Sequence, residues 1–373
     1  MENTSGIYSF KEIGNEYNRE MLELLHQSPI EAKNFSICFD REPDIFKMAN
    51  LKYHPAEYTG FFKGSKLIGF ALIGYYNAYV NGKPQKVFHF SNFFIQKDER
   101  KKFVFFKAFK VIYKNVFDNS DLGYAVVLQG NKNAESLIGR ENTGNTNYPY
   151  SSIINTLDAR SIMIMFRKKT DTAFHVRKAT TADIDSIVEL LQKEFSERIF
   201  APYVDKQVFQ DNLLSRPDFG IENYYVAEKD DIIHGVCAAW DCGSFKQSRI
   251  IKYNSRFKVI KNIYSIMAAL FGFTSLPKTS EAFKEVHITD YAVNERNPKI
   301  MKALLCKVYN DYRDLKYNTI IFGSYKNDEL LKSVKGFINQ SVLSNIIAIS
   351  KNKNSFDEKN IVAEKPYIDI ALL

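Results

Sequence analysis

The sequence predicts an α/β protein of the mixed α+β kind, made of two tandem domains that each fold as a central mixed, mostly antiparallel sheet flanked by helices. Three observations lead to this prediction. The same order of strands and helices occurs twice along the 373 residues. In each half a long apolar strand runs through a polar loop into a helix, at 96–102 and again at 294–299. A polar run at 167–172 separates the halves, so we predict domains over 1–170 and 171–373.

The first half begins with a predicted strand and an amphipathic helix and continues through a hairpin. The Asn81-Gly82 pair marks a tight turn, because these two residues tolerate the positive φ angles that such a turn requires. Residues 151–157 and 161–166 are predicted to close this half as a second hairpin. The predicted strands are 8–12, 57–62, 67–76, 86–95 and 124–128, and the predicted helices are 15–25, 35–48, 103–116 and 131–140.

The second half restarts the same layout at His175. Thr181 can cap the free N–H groups of a helix, and Asp183 and Asp185 suit its positive end. Apolar residues at helical spacing, from Ile184 to Leu191, then form the buried stripe. The remaining predicted elements are helices at 205–214, 299–311 and 328–335, strands at 175–178, 224–228, 232–240, 283–293 and 319–323, and closing strands at 337–350 and 367–373.

An insertion distinguishes the halves, because about forty residues, 243–282, stand where the first half has only its Asn-Gly turn. Apolar residues recur there at helical spacing beside Arg256, Lys258 and Lys261. One interpretation is a helix packed on the body of the protein. The other is a lid or a membrane-surface helix, which would give peripheral membrane contact through 256–275.

Composition and charge limit the classes of partner. The net charge of +8 is compatible with an anionic ligand such as a nucleotide, or with a membrane surface. The acidic residues are spread among the basic ones without a long basic run, so no nucleic-acid partner is expected. The four cysteines lack metal-ligand spacing, which favours reduced thiols. The sequence shows no apolar signal region and no stretch of about 18 apolar residues, so we expect a cytoplasmic protein.

The polar loop between a strand and a helix leaves backbone N–H groups free to bind phosphate. Together with the element order, the loop resembles that of GNAT-type acyltransferases in tandem, over roughly residues 7–168 and 174–373. Three signatures carry the resemblance: the domain opening at 175–184, the pyrophosphate loop at 100–105, and Asn131 followed by Ala134 on the next helix. Phe103 and Phe105 stand where the family has small residues, and Pro298 removes one N–H from the second loop.

The resemblance implies transfer of an acyl group from acetyl-CoA, or another acyl-CoA, to the amine of a small-molecule acceptor. The acyl-CoA is a co-substrate, and no metal is implied. The first half is expected to hold it. The residues expected to bind it are Ile95, Arg100, Lys101, Lys102, Phe103, Val104 and Asn131.

Acyl transfer needs a base for the amine and an acid for the leaving thiolate. The long strand of the second half offers titratable groups, and strand alternation puts Glu285 and His287 on one face. Glu285 and His287 are therefore the predicted bases, and Tyr325, just past the short strand, is the predicted acid. Alternatively, Glu285 is a surface acid at the end of the strand and His287 is a half-buried structural ring. His89 of the first half is expected to be structural.

Three other functions fit the same residues. The chain could be a binding protein in which both cofactor loops have decayed, which Phe103, Phe105 and Pro298 would favour. It could act on lipid-like acceptors or long acyl donors, which the apolar stretch 263–273 would favour. It could belong to a related tandem fold that takes aminoacyl groups from transfer RNA, which the positive charge permits.

Overall fold

The computed structural model describes residues 3–5, 7–27, 29–31, 35–100, 104–132, 134–135, 149–170, 173–351 and 365–373. The strands are β1 Asn3–Ser5, β2 Tyr8–Ile13, β3 Ile30–Glu31, β4 Phe35–Asp40, β5 Ala56–Lys63, β6 Lys66–Val80, β7 Lys83–Ile95, β8 Leu122–Leu128, β9 Tyr150–Met163, β10 His175–Lys178, β11 Tyr224–Lys229, β12 Ile232–Trp240, β13 Gln247–Tyr253, β14 Glu285–Val293, β15 Thr319–Tyr325 and β16 Asn339–Ser350. The helices are α1 Asn18–His26, α2 Ile45–Lys52, α3 Val104–Asn119, α4 Ile184–Ser196, α5 Lys206–Ser215, α6 Ser255–Phe271 and α7 Pro298–Asp314.

Thirteen of these strands form one continuous sheet in the order β1-β2-β5-β6-β7-β8-β16-β9-β15-β14-β12-β11-β10. The described strand pairs are antiparallel except β7 with β8 and β14 with β15, which are parallel. Helix α3 packs on the first half of the sheet, with Ala108 and Phe109 against Phe88 and Phe90. Helices α4 and α7 cover the second half in the same way. The mixed α/β architecture with a mostly antiparallel sheet is therefore confirmed.

The two halves exchange their closing strands. Strand β9 follows the first half in sequence but pairs with β15, from Thr319 opposite Met163 to Tyr325 opposite Leu157. Strand β16 follows the second half but pairs with β8 and also with β9. Each closing strand thus lies beside the other half, and the hydrogen bonds between β8, β16, β9 and β15 join the halves into one sheet.

The insertion makes a second connection between the halves. Its strand β13 pairs with β4 of the first half in a small sheet of the order β13-β4-β3. Arg249 of β13 binds the buried carboxylate of Asp40 at 2.6 Å, and His26 contacts the same carboxylate at 2.9 Å. The insertion also contains α6, which confirms the predicted helix. Among the described residues, no helix is long and apolar enough to cross a membrane.

The structure agrees with the sequence for turns and helices whose formation depends mainly on neighbouring residues. The Asn81-Gly82 turn joins β6 to β7, and both residues have positive φ angles, 51° and 75°. The predicted helix at 131–140 falls largely outside the described residues, and Lys132, Ala134 and Glu135 are helical.

Three predicted elements were wrong, each because a distant partner decides its structure. Residues 35–48 are not one helix but strand β4 followed by α2, since β4 has β13 as its partner. The hairpin predicted at 151–166 is the single strand β9, held extended by partners on both sides. Residues 367–373 do not form a strand, and the segment 365–373 is bound irregularly between the halves, with one isolated bridge from Pro366 to Ile199.

We expect the shared sheet to make the chain unfold in one cooperative step. Val342→Pro in β16 should lower the unfolding free energy by roughly 1–3 kcal/mol, because it removes a ladder donor opposite Ala159. In a urea titration, circular dichroism should report the whole sheet and the fluorescence of buried Trp240 the second half, and the two curves should coincide. Val342→Thr is the matched control. A Trp240 transition that separates from the circular dichroism transition would contradict this expectation.

Candidate functional site

Each half contains a wedge where its parallel strand pair comes apart. Pairing of β7 with β8 covers three residue pairs and ends at Phe90 and Ala125. Pairing of β14 with β15 likewise covers three pairs and ends at His287 and Ile321. In both halves the long strand continues beyond this point to its own end. Where two strands part, their facing backbone groups no longer pair with each other, and an extended ligand can bind such groups as if it were a further strand.

The two long strands share a sequence pattern that the sequence analysis missed. Residues 89–96 are His-Phe-Ser-Asn-Phe-Phe-Ile-Gln, and residues 287–294 are His-Ile-Thr-Asp-Tyr-Ala-Val-Asn. The fourth residue of each, Asn92 or Asp290, has a positive φ angle, 49° or 43°, which marks an irregularity in the strand. The pattern aligns the two wedges position by position, and on this alignment Phe93 corresponds to Tyr291.

The wedge of the second half is closed by side chains. The hydroxyl of Tyr291 in β14 donates to the carbonyl of Gly323 in β15 at 2.9 Å, which bridges the gap between the strands. The ring of Tyr367 packs against Tyr291 at 5.4 Å and against Phe195 at 4.7 Å. The backbone N–H of Asp290 donates to the Tyr367 hydroxyl at 3.2 Å. These rings and hydrogen bonds occupy the place that a ligand would need.

A buried polar network lies at the mouth of the same wedge. Arg296 binds both Glu194 and Asp328, and Arg198 binds Glu194. The guanidinium groups of Arg198 and Arg296 lie over the ring of Tyr325, at 5.6 Å and 5.9 Å from its centre. Burial raises the pKa of Glu194 and of Asp328. Arg198 and Arg296 are therefore both engaged by carboxylates.

The wedge of the first half has a different lining. Phe93, the counterpart of Tyr291, has no hydroxyl group to reach the facing strand. Ile95 is buried at the end of β7, and its carbonyl accepts a hydrogen bond from Arg100 Nε at 2.8 Å. Val104 is buried at the start of α3, while Lys101, Lys102 and Phe103 lie outside the described residues.

Asn131 lies just beyond the end of β8. Its side-chain oxygen accepts from the N–H of Ala134 at 3.3 Å, and its own N–H donates to the carbonyl of Leu128 at 3.1 Å. The Asn131 and Ala134 pair that contributed to the family resemblance therefore closes a helical turn at the mouth of this wedge.

A cavity of about 470 Å³ lies between the two halves, next to the point where β7 and β8 part. Tyr124, one residue before that point on β8, forms part of its wall. Side chains from both halves and from the 365–373 segment line the cavity, among them Lys52, Tyr76, Tyr124, Phe200, Asp211, Arg216 and Asp369.

Lys52 lies among three tyrosine rings in this cavity. Its Nζ is 5.2 Å, 5.6 Å and 5.9 Å from the ring centres of Tyr53, Tyr76 and Tyr124. It donates to the Tyr124 hydroxyl at 3.3 Å and to the Leu372 carbonyl at 3.2 Å. Burial lowers the pKa of Lys52 to about 8. Burial lowers the pKa of Lys246 to about 8 as well, and Lys246 donates to the carbonyls of Ile370 and Ala371.

His89 is buried behind the same cavity. Its ring stacks on Tyr124 with centroids 4.3 Å apart, and its Nδ1 is 2.5 Å from the Tyr53 hydroxyl. Burial, and then the nearby Lys52, lower the pKa of His89 well below its usual value, while burial raises that of Tyr53. The ring is therefore neutral and bonded to a protonated hydroxyl, as expected for a structural histidine.

Two buried aspartates lie close to one arginine at the other side of the cavity. Arg216 binds Asp290 at 2.6 Å, and the hydroxyl of Tyr224 donates to the same carboxylate at 2.7 Å. Asp369 lines the cavity itself, and its carboxylate accepts from the N–H of Ala371 at 2.9 Å. Burial, and then the repulsion of Asp290, raise the pKa of Asp369.

The structure does not bring the three predicted catalytic side chains together, and none of them is among the described residues that line the cavity. Glu285 accepts from Thr319 Oγ1 at 3.3 Å, and burial raises its pKa. His287 is buried, its Nδ1 has no hydrogen-bond partner in the described part of the chain, and burial lowers its pKa. Tyr325 lies four residues beyond Ile321 on β15, about 13 Å further along the sheet.

The cavity residues escaped the sequence analysis for identifiable reasons. Lys52 follows an apolar helix and has the appearance of an ordinary surface lysine. Asp369 lies in a segment that was predicted to be a closing strand. The repeated eight-residue pattern at 89–96 and 287–294 was the one available signal for the site, because aligning it would have located both wedges.

These features define a GNAT fold in tandem, with a wedge in each half beside a shared cavity. No family model and no curated protein sequence matches the chain. Among solved structures, the chain is similar to Saccharomyces cerevisiae N-myristoyltransferase with bound myristoyl-CoA, at 14% identity and a TM-score of 0.57 over 93% of this chain and 83% of that one. It is also similar to a GCN5-related N-acetyltransferase from Anabaena variabilis, at 10% identity and a TM-score of 0.50 over 93% and 74%.

A third similar structure is an Enterococcus faecalis protein described as a probable N-acyltransferase, at 11% identity and a TM-score of 0.50 over 94% of this chain and 75% of that one. The chain therefore has the fold of the GNAT-type N-acyltransferases along nearly its whole length. At these identities the likeness extends to the fold alone.

The lowered pKa values of Lys52 and Lys246 predict how stability depends on pH. A lysine with a depressed folded-state pKa binds its proton less tightly when folded, so each of these two lysines makes a positive contribution to the slope of the unfolding free energy against pH between pH 8 and about 10. Each lysine can contribute a slope of up to about 1.4 kcal/mol per pH unit. Burial raises the pKa of the thiols of Cys38, Cys237 and Cys242 and of the buried tyrosines, so these groups contribute slopes of the opposite sign, and the lysine contribution is read from the difference between variants.

Lys52→Met should make the slope less positive by up to about 1.4 kcal/mol per pH unit, because Lys246 is then the one of these two lysines that still contributes. Urea unfolding at a series of pH values measures the slope of the unfolding free energy against pH. Lys66→Met, in the exposed turn between β5 and β6, should leave the slope of the wild-type protein unchanged. Equal slopes in both variants would show that Lys52 is not a buried cation.

Proposed function

We propose that the protein is an acyl-CoA-dependent N-acyltransferase that holds its acyl-CoA in the wedge between β7 and β8. The observation that carries this proposal is the difference between the two wedges. The second is bridged by Tyr291 and filled by Tyr367. At the first, Phe93 replaces the bridging tyrosine. The likeness to an N-myristoyltransferase with bound myristoyl-CoA supports acyl-CoA as the co-substrate.

The elements around the first wedge suit the parts of such a molecule. The pantetheine arm would pair with the backbone of β7 beyond Phe90, where β8 has moved away. Its phosphates would lie near Arg100 and the start of α3, where the positive helix end favours negative charge. The thioester would then reach the apex of the wedge beside Tyr124, at the wall of the cavity. Backbone N–H groups of β7 would stabilise the oxyanion.

The cavity suits an amine acceptor. Asp211 and Asp369 line it and can attract an ammonium group, and the tyrosine rings provide faces that favour a cation. The raised pKa of Asp369 makes it a stronger base than an exposed aspartate. We assign Asp369 the role of accepting the proton as the amine attacks the thioester carbonyl. The C–S bond then breaks, and the CoA thiolate leaves.

The length of the acyl group decides between acetyl-CoA and a longer donor. Acetyl-CoA is the simplest donor for the GNAT fold, while the solved neighbour with myristoyl-CoA favours a longer chain. A calorimetric comparison of CoA, acetyl-CoA and a series up to myristoyl-CoA measures the preference directly.

We expect one acyl-CoA to bind per chain, because the second wedge is occupied by the protein's own side chains. Leu128→Trp at the mouth of the first wedge should weaken binding at least about tenfold by obstructing the pantetheine path. Arg100→Gln should weaken it roughly tenfold by removing a charge-assisted phosphate contact. Isothermal titration calorimetry gives the affinity and the stoichiometry.

Matched controls are available for these variants. Val342→Trp introduces the same ring at a residue of similar exposure on β16, 42% against 36% for Leu128. Arg19→Gln removes an exposed arginine on α1. Neither should change the affinity. A stoichiometry of two, or equal affinities for Leu128→Trp and Val342→Trp, would place the ligand elsewhere, and no binding of any acyl-CoA would leave a decayed binding protein as the better interpretation.

The role of Asp369 predicts a division between kinetic constants. Asp369→Asn should lower kcat by roughly 100-fold and leave the affinity for acyl-CoA unchanged, because a base acts on the amine. Asp211→Asn should mainly raise KM for the amine by weakening its attraction. Because burial raises the pKa of Asp369, the acid limb of the pH profile of kcat should lie above the usual range of an aspartate.

The assay is steady-state release of CoA with a panel of amines. If Asp369→Asn and Asp211→Asn show the same small effect on kcat, Asp369 is not the base. His287→Gln and Glu285→Gln then test the two bases that the sequence predicts.

A further inference from the structure

The insertion carries a charge pattern that differs from the rest of the chain. Residues 243–282 contain seven basic side chains and one acidic side chain, Glu281, whereas the whole chain has 51 basic and 43 acidic residues. The seven are Lys246, Arg249, Lys252, Arg256, Lys258, Lys261 and Lys278. Such a segment is attracted to an anionic surface.

Helix α6, in the middle of this segment, exposes an apolar face. Val259, Ile263, Ile266 and Leu270 follow one another at helical spacing, and each is more than half exposed, with Leu270 at 74%. Ile260 and Phe271 are also more than half exposed and widen the stripe. An exposed apolar stripe of this size marks an interaction site more often than a free surface.

The opposite side of α6 fixes the helix to the protein. Ala268 is buried against Met165 and Phe273, with Tyr264 and Met267 packed beside them. The helix is also held at its C-terminal end, where Lys316 donates to the carbonyl of Gly272 at 2.7 Å. The apolar stripe is therefore presented outward by a helix whose other side is already packed.

The basic residues of α6 lie where they do not help the helix. Lys258 and Lys261 occupy its first two turns, near the positive end of the helix dipole, where cations are unfavourable. Lys258 is exposed. Their position beside the apolar stripe is instead the arrangement of a helix that lies in a membrane interface, with apolar side chains among the acyl chains and lysines at the headgroups.

We infer that α6 docks the protein on the surface of an anionic lipid bilayer through the stripe of Val259, Ile260, Ile263, Ile266, Leu270 and Phe271. The 17 residues of α6 span about 25 Å along the helix axis, so the helix lies in the plane of the interface rather than across the membrane. A second copy of the chain is a poor occupant, because it would bring the same exposed basic residues, Lys252, Lys258 and Lys278, against this one. A bilayer with acidic headgroups complements both the stripe and the charge.

The test is co-sedimentation of the full chain with vesicles of phosphatidylcholine, with and without phosphatidylserine. The protein should bind the phosphatidylserine vesicles, and binding should weaken as salt is raised. Ile266→Glu should reduce the partition coefficient at least about tenfold. The combined Lys252→Gln and Lys258→Gln variant should reduce it about fivefold for each cation removed.

Ile232→Glu is the matched control, because Ile232 at the start of β12 is 59% exposed and Ile266 is 62% exposed. Circular dichroism confirms that both variants fold. The inference is overturned if the wild-type protein does not sediment with phosphatidylserine vesicles at low salt, or if Ile266→Glu binds as well as Ile232→Glu. Self-association that Ile266→Glu abolishes, without vesicle binding, would show that the stripe is a contact between copies of the chain.

Discussion

The pairing of β9 and β16 across the middle of the sheet is the constraint on which the rest of the structure depends. Without it, β8 and β15 would each end their half with an unpaired edge. With it, backbone hydrogen bonds fix the position of one half relative to the other. The cavity between the halves needs walls from both, including Tyr124 and Arg216, so its shape is set by this pairing.

The two halves share the same arrangement of strands but differ in how their wedges are filled. Both have a parallel strand pair that separates after three residue pairs, and both carry a residue of positive φ at the same place in the repeated pattern. The second wedge is then bridged by the Tyr291 hydroxyl, whereas Phe93 stands at that position in the first. The repeated arrangement is therefore filled by the protein's own side chains in the second half and has a different lining in the first.

The sequence predicted those parts of the fold that neighbouring residues decide. The Asn81-Gly82 turn and helix α6 depend on local spacing and turn chemistry, and the structure confirms them. Strands β4 and β9 could not be predicted, because each pairs with a strand far away in sequence. That pairing outweighs the conformational preference of the local residues.

The candidate site was harder to predict than the fold. A titratable residue on a strand, such as Glu285 or His287, is visible in the sequence, but its burial and its distance from a cavity are not. Lys52 and Asp369 acquire their shifted pKa values only from burial between the two halves. Sequence spacing contains no information on such burial when the residues concerned lie more than 300 positions apart.

The 365–373 segment explains why one wedge is closed and the cavity is polar. Its Tyr367 fills the second wedge, and two residues later Asp369 enters the cavity. The main-chain oxygens that follow accept hydrogen bonds from Lys246, Lys52 and Arg41, so cations from both halves hold the segment in place. A buried cation without an acceptor is costly, and here backbone carbonyls supply the acceptors. Closing the second wedge and placing an acid beside the first are therefore two results of one bound segment.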